Sequence, residues 1–203
     1  MPVEVWAAVM ADLVDELDAL LGVVPESGWE SPAASVDWTC WRTAEHVAGD
    51  FAHYAAQIIG QPRDHYVKFS FDTSRASTPD ELREVVRVAG GMLAAAVRTA
   101  RPDGLGWHPH GFFTPAGFAA IGAAEGLVHD HDIAAGLSIA WSPNPKLCEQ
   151  VLSTVFPNAE RRAGATALTT LLIQTGRDQR PQGKPASTWN YSAAAACPLS
   201  VNR

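Results

Sequence analysis

The stretch "TPDELREVVRVAGGMLAAAVRTA", residues 78–100, limits what this chain can fold into more than any other. Thr78 stands as an N-cap, Pro79 occupies the first helical position, and Glu81 lies three residues past the cap. The hydroxyl and the carboxylate can then satisfy each other's free backbone N–H groups, the reciprocal arrangement of a capping box. Behind this start, Leu82, Val85, Val86, Ala89, Leu93 and Val97 recur every three or four residues, the spacing of one helical face. Gly90 and Gly91 interrupt the stripe and allow a close neighbour or a bend. Such a helix buries one face, so it needs partners. Residues 3–22 offer one, with Val5, Val9, Leu13, Leu17 and Leu20 in phase and Gly22 as a stop. A second begins near residues 38–43 in "WRTAEHVAGDFAHYAAQIIG" and runs to about Ile59, where Gly60 and Pro62 close it. A third starts at Thr114 and Pro115 and continues to Gly136. Shorter helices are predicted over 145–155 and 165–175, the latter ended by Gly176. Strand-like alternation is scarce and no repeat is visible. The expectation is an all-α protein built on a four-helix bundle with short additional helices. The abundance of alanine suits close helix packing.

The intervening segments read as loops. "VPESGWESPAASVDW" is rich in Pro, Ser and Gly, and "QPRDHYVKFSFDTSRAS" has no period and is expected to cross the surface. "RPDGLGWHPHGFF" is expected to be a loop that exposes His108 and His110. Trp38, Trp41 and Trp107 are assigned to core or rim packing. The 203 residues divide into one bundle domain, 1–178, and an irregular C-terminal extension, 179–203. That extension is expected to be partly ordered at most, docking through Trp189 and Tyr191 if at all.

A formal charge of −7, from 22 acidic and 15 basic residues without a Lys/Arg cluster, argues against nucleic acid as a partner. The N-terminal segment is acidic and lacks a basic leader region, so neither a signal peptide nor a membrane span is expected, and the protein is assigned to the cytoplasm. Cys40, Cys148 and Cys197 show no CxxC spacing and are expected to be incidental thiols.

The stretch "EGLVHDHDIAAG", residues 125–136, carries the chemistry. At 100° per residue Glu125, His129 and Asp132 share a face with Phe118, Ile121, Val128 and Ile133, whereas His131 points away. An inward carboxylate must be compensated, by a divalent metal or by a basic partner. His46, Asp50 and His53 stand in phase on the second helix. If the two helices face each other, His46 meets Glu125 and His129, a three-ligand set with open positions that suits catalytic zinc or a two-histidine, one-carboxylate iron site. A salt-bridged polar helix face is the alternative. Asp132 can orient an imidazole from behind, or pair with a base near the helix end. Asp50 and His53 are candidate proton shuttles or substrate anchors, with a solvated or structural role as the alternative. Arg177 either caps its helix or holds an acidic group.

These residues resemble a family. "WTCWRTAEHVAGD", with His46 seven residues after Thr39, is similar to the opening of the second helix in the DinB-like, mycothiol-dependent maleylpyruvate isomerase superfamily. "EGLVHDHDIAAGL" resembles its ExxxHxxDLAxAxG segment, and "LLIQTGRD" its later helix ending in Thr-Gly-Arg. The resemblance implies a four-helix bundle with a divalent metal, usually zinc, on His46, Glu125 and His129, and mycothiol as the thiol cofactor. Arg42 stands where relatives usually carry an aspartate, and Gly122 where many carry an arginine.

The function expected from this resemblance is that of a metal-dependent transferase or isomerase acting on a small electrophilic molecule through a metal-bound thiolate. Rival expectations are metal-water hydrolysis, a specialised biosynthetic reaction on the same scaffold, and a metal-binding or ligand-binding bundle without catalysis. A homodimer is a possible assembly, with the first helix as a contact if its apolar stripe is wider than one bundle covers.

Overall fold

The computed structural model describes residues 2–74 and 76–178, together with the backbone of 196–197. Its frame is four long helices: α1 (Val3–Leu21), α2 (Cys40–Gly60), α3 (Pro79–Thr99) and α4 (Pro115–Gly136). Each of α1 and α2 packs against both α3 and α4, so α1 lies diagonally across the bundle from α2. Two shorter helices, α5 (Pro145–Val155) and α6 (Ala167–Gln174), stack in turn on α4. The helix starts follow the sequence reading closely. Thr39, Thr78, Thr114, Asn144 and Thr166 each accept a bond from a first-turn N–H, and at Thr78 both halves of the capping box are formed.

Helix α1 buries Val9, Leu13, Leu17 and Leu20 as expected, and also Trp6, Met10 and Leu21. The chain's own α3 and α4 cover this stripe. Helix α4 differs from its amphipathic reading. Every residue from Gly117 to Asp130 is buried, including Asp130 on the face away from the metal candidates. The reason is position: α1, α2 and α5 surround it. Such enclosure requires small residues, and a Cβ on Gly122 would sit 2.9 Å from Leu93 and one on Gly126 2.9 Å from Leu13.

Three other expectations need correction. "GWHPHGFF" is a hairpin, β1 (Gly106–His108) paired antiparallel with β2 (Gly111–Phe113), and a two-residue strand β3 (Ala196–Cys197) extends it beside β2. His108 is buried at 5% exposure because the hairpin folds it against Phe113, Phe118 and Tyr54; His110 is exposed as expected. The 61–77 connector does not simply wander across the surface. The buried side chain of Gln57 donates to the carbonyls of His65 and Trp107 and accepts from Val67 N–H, fastening the connector to α2 and to the hairpin. Apart from Ala196 and Cys197, the extension expected over 179–203, with Trp189 and Tyr191, lies outside the described residues.

Candidate metal centre

The middle of α2 and the C-terminal half of α4 face each other across the bundle, and there the predicted residues meet. One ligand atom each from His46, Glu125 and His129 lies within 4.8 Å of the other two. Tetrahedral zinc with bonds of about 2.0–2.2 Å places neighbouring ligand atoms about 3.4 Å apart. His129 Nε2 and Glu125 Oε2, at 3.5 Å, already have that spacing, and the remaining closure is small. The donor set of two imidazoles and one carboxylate suits zinc or iron(II). Helical phase also assigns His131 correctly: it is half-exposed on another face, near Trp141.

Asp132 touches both an imidazole and a basic group. Its Oδ2 lies 3.0 Å from His129 Nδ1, and Arg177 pairs with the same carboxylate at 2.7 Å while also donating to the Thr175 carbonyl at the end of α6. The Asp132 side chain is fully buried and that of Arg177 is 8% exposed. A carboxylate that holds Nδ1–H leaves Nε2 as the lone-pair donor, the outer arrangement typical of metal-ligating histidines.

The two histidines differ electrostatically. Burial works against a charge on His129, but hydrogen bonds to Asp132 and Glu125 outweigh it and hold its pKa up at about 9. Burial and then the neighbouring His129 push His46 down to about 4, so it presents a neutral imidazole. Its ring stands perpendicular to that of His129, with centroids 5.0 Å apart.

Asp50 and His53 continue the His46 face of α2. Asp50 Oδ2 lies 3.3 Å from His46 Nε2, and burial, reinforced by Glu125, raises its carboxyl well above the usual range. With Tyr54 and Tyr66, these two line a cavity of about 240 Å³ beside the triad. His53 donates through Nδ1 to the Gly49 carbonyl at 2.8 Å and stacks on Phe69 at 4.2 Å.

Sequence reasoning named neither Tyr54 nor Tyr66, and assigned Trp38 to packing. Trp38, 37% exposed, covers both metal candidates, with ring centroids 4.8 Å from His46 and 5.9 Å from His129; it is a cover for the site rather than simple rim packing. Tyr66 comes from the irregular connector, where no periodicity could have flagged it. A clue lay in Gln57, a polar residue on an otherwise apolar face of α2 that had to satisfy something.

The family described as the mycothiol maleylpyruvate isomerase N-terminal domain matches residues 10–134, more than half of the chain, from within α1 almost to the end of α4. The chain belongs to this family. It lies within the DinB-like superfamily that the three sequence motifs suggested. Its fold extends the likeness beyond the matched segment. The crystal structure of the mycothiol-dependent maleylpyruvate isomerase superposes with a TM-score of 0.64 at 12% identity, over 91% of this chain and 95% of that one. The H52A mutant of the isomerase gives 0.63 at 11% identity with the same coverage. At such identity the likeness establishes the fold. No curated protein sequence gives a significant match.

Proposed function

We propose that this member of the mycothiol maleylpyruvate isomerase family is a metal-dependent enzyme that uses mycothiol to isomerise, or transfer sulfur to, a small electrophilic metabolite in the cytoplasm. The observation that carries this reading is the convergence of His46 from α2 with Glu125 and His129 from α4, braced by Asp132 behind His129. His46, Glu125 and His129 would hold the metal, with zinc as first choice. Bound together, metal and thiol would supply a thiolate nucleophile at neutral pH, which would isomerise an unsaturated substrate by adding and leaving, or remain as a thioether once the neighbouring carbon takes up a proton.

The chain's own residues do the rest. Asp132 fixes the tautomer of His129, and Arg177 holds that carboxylate in place. Asp50 retains its proton to a higher pH than an ordinary carboxyl and sits at the junction of triad and cavity, so it is assigned the proton transfer to and from the substrate. His53, engaged by the Gly49 carbonyl and by Phe69, positions the cavity wall. Trp38 limits water at the metal candidates.

Neither Cys40 nor Cys148 is in position to be the nucleophile. Cys40 and Cys148 are buried, and burial raises both thiol pKa values, that of Cys148 to about 11. The test follows from this separation. Replacing Cys40, Cys148 and Cys197 together by alanine should leave metal content and mycothiol-dependent turnover within about twofold of the parent. His46→Ala should drop metal from about one ion per chain to a trace and abolish turnover. Turnover that disappears with the cysteines, or survives chelation and His46→Ala, would refute the reading.

A further inference from the structure

The cavity beside the triad has one carboxyl and three rings for walls: Asp50, His53, Tyr54 and Tyr66. Among the described residues, no lysine or arginine lines it. The two guanidinium groups whose charge reaches His46 belong to Arg42 and Arg177, and both are already paired with carboxylates. Arg42 pairs with Glu45 at 2.5 Å on the flank of α2, and Arg177 is buried on Asp132. Helix α4 cannot supply another from Gly122, because its Cβ position lies 2.9 Å from Leu93 and 3.4 Å from Tyr54.

Among the described residues, the wall therefore sets no positive charge against an entering anion. Burial, then Asp50 and Glu125, all push the Tyr66 phenol upward, so it stays an uncharged hydroxyl. A divalent ion, the Glu125 carboxylate and a thiolate together sum to no net charge, so an entering carboxylate would lose its hydration without gaining a partner. A flat, uncharged molecule meets the opposite situation. It gains the faces and edges of His53, Tyr54 and Tyr66, and about 240 Å³ exceeds the roughly 150 Å³ that accommodates benzene.

Building on the proposed thiol-dependent reaction, we infer that the electrophile accepted at this site is an uncharged, planar, aromatic or conjugated molecule rather than a dicarboxylate of the maleylpyruvate type. Asp50 and Tyr66 are the residues that set this preference. Asp50 puts a carboxyl where an anion would need a cation, and Tyr66 offers a neutral hydroxyl to a carbonyl, amide or phenol oxygen.

The preference is read by binding, independently of turnover. Two saturated probes that cannot add a thiol, 3-phenylpropanamide and 3-phenylpropanoate, are titrated calorimetrically into the metal-loaded protein with mycothiol present. The amide should bind at least tenfold more tightly than the carboxylate. Tyr66→Arg should reverse that order, and if this variant does not fold, Tyr66→Lys should narrow the gap several-fold. Equal or tighter binding of the carboxylate by the parent protein overturns the inference, as does failure of the amide to bind. Loss of the functional reading looks different: neither class of unsaturated substrate turns over with mycothiol, whichever probe binds.

Discussion

His129 lies between two carboxylates, and in protein freed of metal that placement governs how stability responds to pH. Its pKa is about 9 in the folded chain against 6.5 as the ordinary value. The folded state therefore binds the proton more tightly than the unfolded one. The stabilisation is fully present below pH 6.5 and is lost as pH rises through 9. Chelated protein should show a melting temperature that declines between pH 6.5 and 9, and His129→Gln should remove most of that slope. Asp132 and Arg177 are bound to each other in the same way. Arg177→Met strands a fully buried carboxylate and should cost about 3–5 kcal/mol in urea unfolding. A loss below 1 kcal/mol would mean that Asp132 is relieved by another group. At this scale the sequence was informative about phase and silent about partners. Helical spacing separated His129 from His131 correctly. It left Asp132 and Arg177 each with two readings, because a separation of 45 positions hides a contact that only the docking of α6 creates.

Helix α3 was legible because it has one buried face and a capped start, both local properties. Helix α4 was misread as one-sided because enclosure by three neighbours leaves no polar face to define a phase. The hairpin was missed since strands of three residues carry too little alternation to detect. Gly90 shows how close packing decides a sign that propensity would give the other way. An alanine in a helix interior normally gains about 0.5–1 kcal/mol over glycine. Here the added methyl would run into Val14 Cγ2 of α1. Overpacking of that kind costs about 1–3 kcal/mol, so Gly90→Ala should destabilise the protein, and adding Val14→Ala should recover part of the loss. A stabilised single variant in thermal or urea unfolding would show that α1 and α3 approach less closely than described.

For the molecule as a whole, the bundle has one structural consequence: it brings residues 79 positions apart, His46 and Glu125, to one point. Among the described residues no helix is long and apolar enough to cross a membrane. Motif order suggested the family, and the match over residues 10–134 establishes it. The cavity was not legible, because Tyr66 reaches it, and Phe69 backs its His53 wall, from a connector whose path is fixed by Gln57 rather than by any local pattern. The central claim is that His46, Glu125 and His129 hold a metal whose open position takes a thiol. X-ray absorption at the zinc edge tests it most directly on purified protein with and without mycothiol. Without thiol, the spectrum should show only nitrogen and oxygen neighbours at about 2.0–2.2 Å, and one sulfur at about 2.3 Å should appear when mycothiol is added. Absence of bound metal, or a spectrum that mycothiol leaves unchanged, would contradict the account.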